Sequence, residues 1–540
     1  MKALRALLVF GAMAVTGLQW SVGAEARARP NILLILADDL GYSDIGAFGS
    51  EIRTPHLDAL AARGVRFTDF YNGTVCCPSR AAMLTGLYAQ QAGVGWLVAH
   101  GADARPPGPY QGYLNDRCVT VAEVLHDAGY RTLMSGKWHV GESRPHWPVD
   151  RGFDHSFALI SGAANYFDLS KDYEPHVKRQ MAIDDRAYTP PATGFYMTDA
   201  IAEHATEFVA QTARDSQPFF LYLAFTAPHF PLHAPAEDIA RNRGRYRAGW
   251  DALRAARFGR LKQLGIVAKD VALGPRDPDV PPWDQVKDPE LEDLKMAIYA
   301  AQIERMDAGI GRVLAALRKA GKEENTLIFF TADNGGCASD LSRFREARLN
   351  RPPFLGGPES YEAYGRGWAN ASNTPFRKYK TWLHEGGISG PLIVAGPGVG
   401  PANTIRREPL HMIDLMATFV EVARATYPTR RGGYAILPLE GESFASALRG
   451  GSWGRRRPLF WEFEGHRAMR DGAWKLLGRE GQPWQLYDLA RDRGEANDLA
   501  AEHPDRVRSM AARVEAWAQR SDVQPWAEVG PTLQNIPGLK

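Results

Sequence analysis

Asn31-Ile-Leu-Leu-Ile-Leu-Ala37, running directly into Asp38-Asp39, is the stretch that decides the fold. A half-exposed strand alternates apolar and polar residues, and a helix needs a longer periodic run. A short unbroken apolar segment instead suits a strand covered on both faces. Residues 218–225, 326–332 and 390–395 repeat the pattern. Helical periodicity lies between them, at 56–63, 121–128, 199–212 and 296–319. Strands alternating with helices predict an α/β layer architecture around a large, mostly parallel central sheet.

The chain has 540 residues, so it can bury a large core and carry more than one domain. Its formal net charge of +2 gives no footprint for nucleic acid or an anionic membrane. Lys2 and Arg5 precede an apolar run at 7–18, and Val22-Gly23-Ala24 offers a cleavage site. Residues 1–24 are therefore expected to be a signal peptide, and the protein to be exported, periplasmic or secreted. No later segment is apolar enough to span a membrane. Cys76, Cys77, Cys118 and Cys337 are too few for a disulfide framework. Cys118 and Cys337 are expected to be small buried hydrophobes, although they can pair in an oxidising compartment. Residues 236–269 are rich in arginine and predict an amphipathic helical insertion, either a solvated helix pair or a substrate lid. Residues 424–438 are expected to form a linker. Short strands at 459–463, 467–477 and 484–489, then a helix at 502–520, predict a smaller C-terminal α+β domain with an antiparallel sheet. The expected boundaries are 29–425 for a catalytic domain and 426–540 for the C-terminal one.

Polar residues collect where the strands end. Asp38-Asp39, Asp333-Asn334, Pro228-His229 and Gly136-Lys137-Trp138-His139 each follow a predicted strand. In open parallel sheets, ligands bind beyond the carboxyl ends of the strands, so these segments are expected to converge. Asp38, Asp39, Asp333 and Asn334 offer only oxygen, which favours a hard cation, Ca²⁺ or Mg²⁺, over zinc. Held close together without a cation, the three carboxylates repel one another. Lys137 and His139 share one face of an extended segment, where a cation and a titratable imidazole can hold an oxyanion and move protons. In Cys76-Cys77-Pro78-Ser79-Arg80, Pro78 suits a first helical turn that residues 79–88 can continue. Cys76 then lies at a helix N-terminus, where negative charge is favoured, with Arg80 one turn on. By itself this describes a low-pKa thiolate.

Cys76-x-Pro78-Ser79-Arg80-x-x-x-Leu84-Thr85-Gly86 resembles the signature of the type I sulfatases. The resemblance extends over nearly the whole chain after the leader. It includes Arg29-Pro-Asn-Ile-Leu-Leu-Ile-Leu-Ala-Asp-Asp39, Gly136-Lys-Trp-His139, Ala227-Pro-His229, Ala332-Asp-Asn-Gly335, Lys380-Thr-Trp-Leu-His-Glu-Gly-Gly387 and Gln485-Leu-Tyr-Asp-Leu489. Gly162-Ala-Ala-Asn165 and the arginine-rich insertion are most similar to the bacterial arylsulfatases. The resemblance implies an alkaline-phosphatase-like α/β sandwich with a small C-terminal domain. It also implies that a separate maturation enzyme oxidises Cys76 to formylglycine. One hydroxyl of the hydrated aldehyde, helped by metal and Arg80, would attack sulfur and displace the alcohol. His139 would then deprotonate the second hydroxyl, and the sulfo-enzyme intermediate would release sulfate. Asp38, Asp39, Asp333 and Asn334 match calcium-ligand positions. Lys137, His229 and Lys380 match sulfate-binding positions, with His229 or Lys380 assisting the leaving oxygen. The implied substrate is a small-molecule or carbohydrate sulfate ester.

One departure stands out. Family members often carry Glu-Gly-Gly-x-Arg-Val-Pro after the active-site lysine, whereas this chain reads Glu385-Gly-Gly-Ile-Ser389-Gly390-Pro391. The arginine is missing, which puts the hydrogen bonds behind Lys380 in question. His233, His384 and Trp138 are candidates either for the pocket wall or for structural roles, and His411 is expected to be structural. A phosphonate monoester or phosphodiester hydrolase of the same superfamily is the competing activity. A binding protein that has lost catalysis is the non-enzymatic alternative.

Overall fold

The computed structural model describes residues 29–98, 105–171, 178–344 and 346–534. The expected signal peptide at 1–24 lies outside them. Asn31–Ala37 is the central strand of an 11-stranded sheet and is buried along its whole length. It pairs in parallel with Thr326–Ala332 on one side and with Phe219–Ala224 on the other. Arg131–Lys137 and then His155–Leu159 continue the parallel run beyond Phe219–Ala224. Ser389–Ala395 is antiparallel to both Thr326–Ala332 and Val65–Tyr71, so the sheet is mixed toward that edge. The sequence pattern located the apolar centre but not Val65–Tyr71. That strand is VRFTDFY, whose buried Arg66, Thr68 and Asp69 break the apolar run.

Helices cover both faces of the sheet, as two large apolar clusters require. The longest is Pro289–Lys319, which begins well before the predicted residue 296. Its start is set by Asp288, whose side chain accepts from the Leu291 amide, and by Pro289 in the first turn. The Cys76–Thr85 helix starts at Cys76 itself and stops before the predicted residue 88. Gly86 ends it in the left-handed region at φ 71°, a conformation that favours glycine.

The arginine-rich stretch forms helices Ala236–Asn242 and Gly249–Gln263. It is not simply a solvated pair. Arg257 is fully buried, 2.5 Å from Asp44 and 2.9 Å from Glu51. Removing either partner of such a buried pair leaves an uncompensated charge, so this helix is anchored to the strand-end loop. The expected linker carries a small hairpin, Arg430–Arg431 with Tyr434–Ala435, and Arg431 pairs with Asp127 at 2.6 Å.

The C-terminal domain is a four-stranded antiparallel sheet, Leu459–Phe463, His466–Asp471, Trp474–Gly478 and Gln485–Asp488. Met510, Val514 and Trp517 of helix Pro504–Arg520 pack on it, with the Trp517 ring stacked on Phe460 at 5.1 Å. Tyr71, Tyr88 and Ile413 join the same apolar cluster, which seats this sheet against the larger α/β layer. Among the described residues, no helix is long and apolar enough to cross a membrane.

Candidate active site

The parallel strands deliver their polar ends to one place. Ala37 and Ala332 are register partners, so Asp38-Asp39 and Asp333-Asn334 emerge side by side. The Asp39 amide donates to Asp333 Oδ1 at 3.2 Å, and Asn334 Nδ2 donates to Asp39 Oδ1 at 2.7 Å. Lys137, the last residue of its strand, extends Nζ to Asp38 Oδ2 at 2.6 Å. Arg80 lies one turn along the Cys76–Thr85 helix. It donates to Asp333 Oδ2 at 2.8 Å and to the Lys137 carbonyl at 2.8 Å. Lys380, from a loop after helix Gly365–Ser372, reaches Asp39 at 2.7 Å, Cys76 Sγ at 3.2 Å and His229 Nε2 at 3.4 Å. The ten residues that the sequence offers as metal, sulfate-binding or catalytic positions are all buried or nearly so around this point.

Backbone strain concentrates here. Asp39 at φ 60°, His139 at φ 61° and Thr381 at φ 76° are left-handed without being glycine. His139 also needs a small neighbour, because a Cβ on Gly162 would stand 2.2 Å from His139 Nε2.

Electrostatics separate the two histidines. Burial, and then Lys137, holds His139 well below the usual imidazole range, so it is neutral. Its Nε2 faces the Val98 carbonyl at 2.9 Å, which assigns the proton to Nε2. Nδ1 is then an unprotonated acceptor, buried without a partner. His229 moves the other way. Burial lowers it, but Asp39 at 3.4 Å and Asp38 outweigh that and raise it. Its Nδ1 donates to the Phe230 carbonyl at 2.7 Å. One imidazole is thus prepared to take a proton and the other to give one.

Burial raises the Cys76 thiol, but Lys137 and Lys380 together bring it down to about 6. Cys77 has no such partners within bonding distance, and burial pushes it up to about 12. In protein made without maturation, Cys76 is therefore expected to react with iodoacetamide along a titration centred near about 6. Peptide mass spectrometry across pH 4–10 reads this, and a midpoint above about 8 contradicts the arrangement.

A cavity of about 460 Å³ opens onto Cys76, His139, His229 and Lys380. Lys137 and Arg80 do not line it; they stand behind the carboxylates. The wall carries Phe230, Tyr361, Tyr379 and Trp382, with Arg179 and Arg366, and among the described residues no carboxylate side chain lines it. Among its described lining residues, none comes from the arginine-rich helices. His233, His384 and Trp138 do not line it either. His233 bonds the Ser360 carbonyl and Trp138 the His146 carbonyl. His411 is buried beside Trp461, as a structural residue would be. Cys118 and Cys337 are both free and buried, as expected, and Cys337 also borders the cavity.

Sequence reasoning missed Tyr222, whose hydroxyl accepts from Arg80 at 3.3 Å, and Asn373, which holds the Gly336 amide at 3.0 Å. Tyr222 sits inside an apolar strand, and nothing in that run marks its hydroxyl.

Within the group Asp38, Asp39, Asp333 and Asn334, two buried oxygens lack any hydrogen-bond donor, Asp38 Oδ1 and Asn334 Oδ1. Unsatisfied acceptors beside crowded carboxylates are what a hard cation would satisfy. Burial, and then Asp38, pushes Asp333 up to about 6, a further sign of missing positive charge. Asp38, Asp39, Cys76 and His229 also form a group whose potential ligand atoms lie within 4.8 Å of one another. The donor set thus fits a divalent cation, with the cysteine and histidine at its edge.

A mixed α/β sheet of this topology, with a cysteine at a helix start and buried cations over strand-end carboxylates, defines a hydrolase of the alkaline-phosphatase-like class. The chain belongs to the sulfatase family, whose model matches residues 30–425. It is 36% identical over 532 residues to an uncharacterized sulfatase of Schizosaccharomyces pombe, covering 92% of this chain and 93% of that one. It is 35% identical over 439 residues to an arylsulfatase of Klebsiella aerogenes, covering 78% and 93%. Among solved structures, Ps i-CgsB aligns with a TM-score of 0.69 at 27% identity, covering 94% of this chain and 98% of that one. Ps i-CgsB has also been solved in complex with k-i-k-neocarrahexaose.

Proposed function

We propose that this sulfatase cleaves sulfate monoesters at residue 76, after a maturation enzyme has oxidised Cys76 to formylglycine. The observation that carries the reading is the position of Lys380 Nζ, within 3.4 Å of Cys76, Asp39 and His229 at the cavity floor. The hydrated aldehyde, once formed, supplies one hydroxyl for attack on sulfur and a second whose deprotonation releases sulfate.

The chain's own groups then divide the work. Lys380 and His229 bind the sulfate oxygens, and His229 gives its proton to the departing alcohol oxygen. His139, neutral with Nδ1 open, takes the proton from the second hydroxyl. Lys137 and Arg80 fix Asp38 and Asp333 in place and oppose part of the burial cost of their charges. Asp38, Asp39, Asp333 and Asn334 would hold a divalent cation, Ca²⁺ in preference to Mg²⁺, which supplies positive charge for the sulfate oxygens.

The aromatic side chains of the wall, with Arg179 and Arg366 beside them, suit an aryl or carbohydrate sulfate. The names of the Klebsiella relative and of the Ps i-CgsB complex support the same range. The division into a catalytic domain at 29–425 and a C-terminal domain at 426–540 belongs to this proposal. So does export through a signal peptide at 1–24.

Phosphate monoesters carry an extra negative charge and favour sites richer in metal, whereas this site has one oxygen-only set. Matured enzyme is expected to show a higher kcat/KM for nitrophenyl sulfate than for nitrophenyl phosphate. A large preference for phosphate overturns the assignment.

A further inference from the structure

The arginine missing at position 389 has a stand-in from elsewhere in the chain. Ser389 Oγ donates to Glu385 Oε2 at 3.0 Å, and Arg493 Nη2 stands 3.4 Å from that same Ser389 oxygen. Arg493 follows the last strand of the C-terminal sheet, more than a hundred residues later. Its Nη2 donates to Glu385 Oε2 at 3.1 Å and its Nη1 to Asp69 Oδ1 at 2.9 Å. The guanidinium also lies over the Phe376 ring at 4.6 Å.

These contacts grip both feet of one loop. Phe376 and Glu385 bracket the segment that carries Lys380, and the Gly386 amide closes it by donating to the Arg377 carbonyl at 2.9 Å. Glu385 is fully buried and is held from the C-terminal sheet a second time, by Lys475 at 3.0 Å. The cluster is balanced, with Arg470, Lys475 and Arg493 against Asp69, Glu385 and Glu495. It therefore offers no net charge to a ligand, and its chemistry is that of a clamp.

We propose that Arg493 is a positioning residue that replaces the absent arginine at 389 and sets Lys380 against residue 76 from the C-terminal domain. The inference rests on the reading of Lys380 given above. Lysine at 493 keeps one charge but cannot span Glu385, Asp69 and the Phe376 ring together.

The test uses matured full-length protein, nitrophenyl sulfate and thermal melts. Arg493→Lys is expected to lower kcat about ten-fold with little change in KM, the size typical of losing a group that orients an active-site residue. In a Lys380→Ala background the same change is expected to cost nothing further, since there is no lysine left to position. Arg493→Ala leaves buried carboxylates short of a partner and is expected to melt early. Adding Ser389→Arg to it returns a guanidinium to the cluster and is expected to restore kcat. A folded Arg493→Lys enzyme with wild-type kcat overturns the inference. So does a double variant that recovers the melting temperature but not kcat. Undiminished kcat in Lys380→Ala alone removes the reading of the lysine, and this inference with it. Activity lost there but kept in Arg493→Lys overturns this inference alone.

Discussion

Cys76→Ala is expected to lower kcat/KM for nitrophenyl sulfate by about 10⁴-fold or more, the scale on which enzymes lose a covalent nucleophile. Alanine cannot be oxidised to an aldehyde, so neither hydroxyl can form. The melting temperature is expected to change little, because the partners that Cys76 would leave also bond each other and alanine is a good helix former. Its nearest polar contacts are Lys380 Nζ at 3.2 Å and Asp39 Oδ1 at 3.9 Å, and those two groups already bond each other. Cys77 offers no substitute, since its sulfur accepts from the Val98 amide at 3.2 Å and lies in the apolar core. Activity in Cys76→Ala close to the parent's contradicts the mechanism, whatever the fate of Cys77.

Lys380→Met is expected to lower kcat about 10²–10³-fold, the loss typical of removing one preorganised group that stabilises developing negative charge. Burial opposes the ammonium, but Asp39 and Cys76 hold it charged far above the usual lysine range, so it stays cationic at every working pH. Methionine keeps the stem and removes the charge. The pH profile then belongs to the histidines. His139 is held neutral by burial and Lys137, so its acidic limb is expected well below the ordinary value near 6.5. His229 is raised by Asp39 and Asp38, so it keeps its proton above that value and sets the alkaline limb. The same shift has a stability consequence. His139 binds its proton less readily when folded, so its contribution is present above its unfolded value and is lost as pH falls below it. A kcat profile of His139→Ala that kept the parent's acidic limb would show that another group sets it.

The central sheet was legible because fully buried strands must be continuously apolar, as residues 31–37 and 326–332 are. Their endings were legible for a related reason. Carboxylates pressed together after two such strands have few uses in a folded protein other than holding a cation. Val65–Tyr71 escaped because its buried Arg66 and Asp69 are satisfied by partners far along the chain, Asn403 and Arg470 among them. The start of the Pro289–Lys319 helix was present in Asp288-Pro289, but its first turns are partly exposed and break the apolar rhythm. The roles proposed for Lys380 and for an oxidised Cys76 came from resemblance alone, since a lysine in a basic cluster and a cysteine at a helix start each have ordinary roles. Arg493 had no sequence signal. What marked its place was the departure at Ser389, and only the folded chain brings the two together.

The most direct measurement is the mass of the tryptic peptide containing residue 76 from active protein purified from its own host. Conversion of the cysteine to formylglycine is expected to appear as a loss of about 18 Da at that residue alone, with Cys77 unchanged. Active enzyme in which residue 76 is entirely an unmodified thiol would contradict the account.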